Sequence, residues 1–255
     1  MLNYKVYYDP YKTNWVVFVH GIGGNINTWK NQVNDLGKNN NLLLIDLPWH
    51  GNSCVEQRIT ISMLNKHIKD ILDKEMIRKA TFAGISLGSL VVSQFAIAYP
   101  EYVDRLIFIG SVIEVRPICK LIVVLGEMFR YILPYKLIYN LAIMVIVPKR
   151  KASIDGSFYR SEFINMGRKK LIEWIEYLSV ILDGKNVVEK LKGLEKEICF
   201  ISGEYDKMFI KGAKKTAETL GQELVVMDNC THICNNDNPE MFNKLMSEFL
   251  LCTAI

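Results

Sequence analysis

Gly84-Ile85-Ser86-Leu87-Gly88 is the stretch on which the fold of this sequence turns. Before it lies Ala80–Gly84, a short apolar run suited to a buried strand. After it, Leu90, Val91, Phe95 and Ala98 recur at helical spacing until Pro100. A sharp strand-to-helix turn needs small residues on both sides, because a Cβ at either glycine would clash across the bend. Ser89 is small as well. The turn is expected to hold Ser86 in a strained backbone conformation with its hydroxyl exposed, and the free N–H groups of the new helix aim at the same point. The five-residue pattern is weak by itself, and its place between strand and helix gives it weight. The competing reading is a serine that caps an ordinary helix.

Outward from this turn, short β-branched runs alternate with helix-period segments, the pattern of a parallel sheet with crossover helices. The strand candidates are Trp15–His20, Leu42–Asp46, Ala80–Gly84, Leu106–Ile109, Ile198–Ile201 and Leu224–Met227, with Tyr4–Tyr8 as an antiparallel edge. Their near-continuous hydrophobicity fits strands covered on both faces. Met63, Leu64, His67, Ile68, Ile71 and Leu72 mark one helix face, and Phe242, Leu245, Met246, Phe249 and Leu250 mark a C-terminal one. Between about Glu114 and Leu191 the alternation stops. That stretch reads as helices only, over Pro117–Tyr131, Pro134–Val147, Phe158–Met166 and Lys169–Leu182. We expect residues 1–113 and 192–255 to form one α/β core and 114–191 to form a helical cap over the sheet's C-terminal edge.

The chain has 255 residues, 50% of them hydrophobic, with 31 Lys+Arg against 27 Asp+Glu. It is too apolar for a disordered chain, and a net charge of +4 gives no argument for nucleic acid. No apolar stretch of about 18 residues runs uninterrupted, so no membrane anchor is expected. Met1–Pro10 lacks the apolar region of an export signal, and the six cysteines are scattered; reduced thiols in a cytoplasmic protein are the expectation. Cys230-Thr231-His232-Ile233-Cys234 is the one cluster with metal-binding residue types. A zinc site normally needs four ligands and no second pair follows, so no metal is expected.

A serine needs a base, and histidine is the usual one. Of the four histidines, His20 ends a strand before Gly21-Ile22-Gly23-Gly24 and should shape that loop. His50 lies in a turn and His67 on a helix. His232 follows the last strand candidate, at the sheet edge where the C-terminal ends of parallel strands gather, and is the expected base. Asp206, in Gly203-Glu204-Tyr205-Asp206, stands just after the strand Ile198–Ile201 and is the expected acid that fixes the imidazole tautomer; Glu204 is its local rival. Donors for a developing oxyanion are assigned to the backbone N–H groups of Ile22 and Leu87. A phosphate-cradling role for the glycine loop is disfavoured, since neither G-x-x-x-x-G-K-[ST] nor G-x-G-x-x-G is present.

Taken together, His20-Gly21-Ile22-Gly23-Gly24, Asp46-Leu47-Pro48-Trp49-His50-Gly51-Asn52-Ser53, the serine turn, Gly203–Asp206 and the late His232 resemble the α/β-hydrolase superfamily. The likeness is to its compact, esterase-like branch with an inserted helical cap, and it covers the chain outside the cap. It implies an α/β-hydrolase fold with a mostly parallel, doubly wound sheet. It also implies ester, lactone, thioester or C–C bond chemistry without a cofactor, in the chain order Ser86, Asp206, His232. There are departures. The family loop usually reads D-x-P-G-x-G-x-S, and Trp49 stands where its first glycine would be, so Trp49 should line or brace the pocket. Enzymes resembling SHCHC synthase usually carry Arg four residues after the serine, where Leu90 stands here.

The expected substrate is a small-to-medium carboxylic ester with an apolar acyl part. Gly21, Trp49, Phe129 and Trp174 are the pocket candidates, and a homodimer is compatible with the reading. C–C bond hydrolysis, SHCHC-synthase-like elimination, an interfacial lipase-like enzyme and a non-catalytic binding protein on the same fold are the alternatives. Residues 114–191 hold 13 Lys+Arg and 8 Asp+Glu, a net +5, which leaves −1 for the rest. The basic balance therefore belongs to the cap. Its charges at 149–151 and 168–170 read as solvated helix ends, with an anionic substrate group or a membrane surface as the sharper readings.

Overall fold

The computed structural model describes residues 2–56, 58–115, 157–181 and 184–251, together with 117, 121, 124, 125 and 128. Seven strands form one sheet: β1 (Tyr4–Tyr7), β2 (Trp15–Val19), β3 (Asn41–Ile45), β4 (Ala80–Ile85), β5 (Val103–Ile109), β6 (Ile198–Gly203) and β7 (Leu224–Met227). Their spatial order is β1-β3-β2-β4-β5-β6-β7. β1 runs antiparallel to β3, and every other pair is parallel. The chain steps from β2 outward to β3 and then returns past β2 to β4. The gap between the C-terminal ends of β2 and β4 is therefore the switch point at which open α/β sheets take their ligands.

The central strands are largely apolar because both faces are covered. Val17 and Val19 join Phe82, Leu106, Phe108 and Phe200 in one cluster. Val16 and Phe18 join Ala83, Ile85, Ile107 and Ile109 in the other. The first cluster is covered by α2 (Ile61–Lys74) and α3 (Leu87–Ala98), and Leu171 and Trp174 of α4 (Ser157–Ile181) and Val187, Val188 and Leu191 of α5 (Gly184–Lys192) complete it. The second is covered by α1 (Lys30–Leu36) through Leu36 and by α8 (Pro239–Leu251) through Phe242 and Met246. α6 (Ile210–Thr219) and the one-turn α7 (Cys234–Asp237) finish the set.

Between β5 and β6 the described residues of regular structure are all helical. The span α4 breaks at Gly167, whose φ of 73° and ψ of 170° end one helix and start another, dividing it where Phe158–Met166 and Lys169–Leu182 were expected to part. Pro117, Leu121, Val124, Leu125 and Met128 are helical too, and the last four, at i, i+3, i+4 and i+7, are exposed. The expected helix Pro134–Val147 and Phe129 lie outside the described residues. No helix among the described residues is long and apolar enough to cross a membrane.

β5 starts at Val103, three residues before the apolar run begins. Its first turn carries Asp104 and Arg105, which sit at the sheet's N-terminal edge. Arg105 pairs there with Glu197 at 3.1 Å and Asp104 with Lys79 at 2.9 Å. Deeper in the sheet, the rings of Phe108 and Phe200 meet edge to face at 5.3 Å and are fully buried. Phe108→Ala should cost about 3–5 kcal/mol, read as a lower urea midpoint with an unchanged slope.

Candidate active site

Ser86 is the junction of β4 and α3, with φ 54° and ψ −120°, a conformation that non-glycine residues rarely adopt. It is held there by backbone contacts: the Ser86 N–H donates to the Ile109 carbonyl at 2.9 Å, and the Ser86 carbonyl accepts from the Ser89 hydroxyl at 2.6 Å. The glycines on either side are required for close approach. A Cβ on Gly84 would run into the Gly88 carbonyl, and one on Gly88 into the carbonyl of Val19. The helix-cap alternative does not apply, since the Ser86 side chain makes no capping bond.

His232 meets Asp206 across 26 residues. Its Nδ1 lies 2.7 Å from Asp206 Oδ2, and both side chains are buried. A carboxylate only accepts, so Nδ1 is the donor and Nε2 is left as the bare nitrogen. Phe209 packs on the imidazole at 4.9 Å. Nε2 is buried and has no hydrogen-bond partner among the described residues, Ser86 included. The two are nevertheless neighbours through one peptide. Ile109 accepts from the Ser86 amide, and a Cβ on the next residue, Gly110, would stand 2.8 Å from Nδ1 and Cε1 of His232. Glu204 turns elsewhere: its carboxylate accepts from the Asn229 N–H at 3.0 Å.

On the opposite side of Ser86 stands the glycine loop. A Cβ on Gly21 would be 3.1 Å from Ser86 Cβ and 3.7 Å from its Oγ. Gly21 to Gly24 form a turn closed by the Gly24 N–H on the Gly21 carbonyl at 3.0 Å, with Gly23 at φ 72°. Ile22 is half-buried at the tip of this turn, and Leu87 opens α3, where first-turn N–H groups have no helical acceptor.

Two further histidines fix this loop. His20 accepts from the Leu47 N–H through Nε2 at 3.0 Å, so its Nδ1 donates to the Gly21 carbonyl at 2.7 Å. His50 accepts from the Gly23 N–H through Nε2 at 3.0 Å and donates through Nδ1 to the Pro48 carbonyl at 3.0 Å. Asp46 organises the second loop, accepting from the Ile26 and Asn52 N–H groups and from Asn3. Composition and spacing placed His50 only in a turn; its partnership with Gly23 is set by the meeting of two loops 27 residues apart.

The pocket candidates divide. Gly21 touches Ser86, as above. Trp49 is half-buried at φ 61° and its indole N–H donates to the Val55 carbonyl at 2.6 Å, so it braces its own loop. Trp174 departs from the expectation. Its ring has no exposed surface and is spent on packing, edge-on to His50 at 5.6 Å and to Tyr177 at 5.3 Å, while its N–H donates to the Pro48 carbonyl at 3.2 Å. Cys230 and Cys234 are free buried thiols; burial pushes Cys230 up to about 11 and Cys234 well above its ordinary value, so neither is a thiolate at neutral pH.

Burial lowers the proton affinity of His20, and burial together with His20 lowers that of His50 well below the ordinary 6.5. The unfolded chain takes up protons on these rings as pH falls through 6.5, and the folded chain resists. Their contribution to stability is therefore complete above that pH and declines below it. Thermal unfolding should show a Tm that falls from pH 6.5 towards about pH 5, with a shallower slope in His50→Phe; an unchanged slope in the variant would contradict this.

Comparison with known proteins agrees with this architecture. The family model described as alpha/beta hydrolase fold matches residues 14–135. A pimeloyl-[acyl-carrier protein] methyl ester esterase of Hamiltonella defensa is 35% identical over 95 residues, which are 37% of this chain and 35% of that protein. The match thus spans about a third of that relative's length. Among solved structures, a carboxylesterase study of Nitrososphaera gargenis gives a TM-score of 0.78 at 23% identity, covering 98% of this chain and 94% of the other. MenH from S. aureus gives 0.81 at 21% identity, covering 98% of each. At such identities the likeness to these structures is one of fold. The strand order, the strained serine turn and the family model matched over residues 14–135 agree on one architecture: the chain has the alpha/beta hydrolase fold.

Proposed function

We propose that this chain is a serine hydrolase of carboxylic esters, with Ser86 as nucleophile, His232 as base and Asp206 as the acid that orients it. The observation that carries the reading is the buried 2.7 Å contact of Asp206 with His232 Nδ1, which leaves Nε2 without a partner, on a ring packed against Gly110, the residue after the carbonyl that holds the Ser86 amide. In the reaction the Ser86 hydroxyl turns to Nε2, gives up its proton and attacks the substrate carbonyl carbon. The amides of Ile22 and Leu87 receive the oxyanion, the imidazolium protonates the leaving alcohol, and water then cleaves the acyl-enzyme with His232 again as base. No cofactor enters this scheme.

Residues 114–191 act in this reading as a cap over the 1–113 and 192–255 core and select the acyl group. The exposed apolar face at Leu121, Val124, Leu125 and Met128 supports an apolar acyl part. The esterase name of the Hamiltonella defensa relative supports the ester bond, and the family match includes Ile22, Ser86 and Leu87. Asp206 and His232 lie outside that match and rest on geometry.

Turnover of p-nitrophenyl butyrate should show a burst and then a steady rate, and both should vanish in Ser86→Ala. No turnover of esters from acetate to octanoate would refute the proposal. Asp206→Asn should lower kcat by about 10³–10⁴-fold with the fold intact. Glu204→Gln should leave kcat near the parent value; the reverse outcome would move the acid to Glu204.

A further inference from the structure

Gly21-Ile22-Gly23-Gly24 is a turn with three glycines, and such a segment has more backbone freedom than any other four residues near Ser86. An oxyanion donor is effective only when it is held in place before the charge develops, and a misplacement of about 1 Å can cost about 100-fold in rate. What holds this turn is therefore part of the site. The Gly24 amide bonds within the turn, whereas the Gly23 amide bonds to one atom outside it, Nε2 of His50 at 3.0 Å. The other face of His50 is fixed in turn. Its Nδ1–H and the Trp174 indole N–H converge on the single carbonyl of Pro48, at 3.0 and 3.2 Å, and the Trp174 ring stands edge-on to the imidazole. Trp174 belongs to α4, beyond the Gly167 break, and His20 lies against the other side of His50 at 5.0 Å between ring centres.

We propose that His50 is a positioning residue for the ester-hydrolase reaction: through Nε2 it holds the Gly21–Gly24 turn, and with it the Ile22 amide, against Ser86. Trp174 and the Pro48 carbonyl lock its ring, so α4 and the oxyanion turn are joined by one imidazole. This rests on the hydrolase reading above. His50 touches no reacting atom; it works as an acceptor that must stay unprotonated at Nε2, and Trp174 serves as its wall and not as a substrate contact.

The test compares the parent protein with His50→Phe, which keeps a ring against Trp174 but offers Gly23 no acceptor, and His50→Gln, whose side-chain carbonyl can accept from the Gly23 N–H. With p-nitrophenyl butyrate, His50→Phe should lower kcat by about 10- to 100-fold while KM stays within about twofold, and His50→Gln should recover most of the loss. By NMR, the Gly23 amide should exchange with solvent at least about tenfold faster in His50→Phe than in the parent, and more slowly again in His50→Gln. A parent-like kcat, a rise in KM alone, or an unchanged Gly23 exchange rate in His50→Phe would overturn the proposal. If the parent hydrolyses no ester, the hydrolase reading fails, and Gly23 exchange still decides whether His50 holds the turn. If His50→Phe does not fold, the parent's long-range ¹H–¹⁵N spectrum decides: a bare Nε2 on His50 is required, and a protonated one overturns the assignment.

Discussion

The backbone of Ser86 is the constraint on which the rest of this site depends. A residue with a side chain at φ 54° and ψ −120° persists only when its surroundings leave no alternative. Here they do so through contacts too close for any Cβ. β4 and α3 approach each other at Gly84 and Gly88, and α3 approaches the end of β2 at the Val19 carbonyl. The same contacts bring the ends of β2, β4 and β5 together. Gly21 abuts Ser86 from one side, and Ile109 and Gly110 tie it to the His232 ring on the other. The switch point of the sheet and the strained serine are two aspects of one packing solution.

The histidines around that point share one chemical pattern. His20 and His50 each accept a backbone N–H at Nε2 and donate from Nδ1 to a carbonyl, while His232 donates from Nδ1 to Asp206 and has nothing at Nε2. Burial keeps the first two uncharged, which a structural acceptor requires, since an imidazolium would present a second N–H to the amide it must hold. His232 differs in having an acid partner and an unsatisfied nitrogen. In the proposed reaction that asymmetry separates the ring that accepts a proton from the rings that fix loops.

Much of this arrangement was legible in the sequence, for identifiable reasons. The central strands were found because burial on both faces makes them nearly continuous in hydrophobicity, and the edge expected over Tyr4–Tyr8 is β1, antiparallel to β3 over Tyr4–Tyr7. The break at Gly167 falls between the two helices expected over Phe158–Met166 and Lys169–Leu182. α1 was not foreseen, because its buried positions include Gln32, which bonds to Asn235 and Asn243, and polar side chains give no apolar stripe. α6 was missed for a related reason: it packs through Gly212, Ala213, Thr216 and Ala217, whose small size leaves little hydrophobic signal. The meeting of Asp206 with His232 followed from sheet topology, since both sit just past the C-terminal ends of parallel strands. The partnerships of His50 and Trp174 did not, because they depend on how two loops and a helix distant in sequence come into register.

The proposed chemistry requires Ser86 to be a nucleophile activated by its neighbours. Mass spectrometry of the intact chain after exposure to a fluorophosphonate, followed by peptide mapping, tests this most directly. One adduct per chain, on the peptide bearing Ser86 and formed far more slowly in His232→Ala, is the predicted result. An unmodified Ser86, or labelling that proceeds equally well without His232, would contradict it.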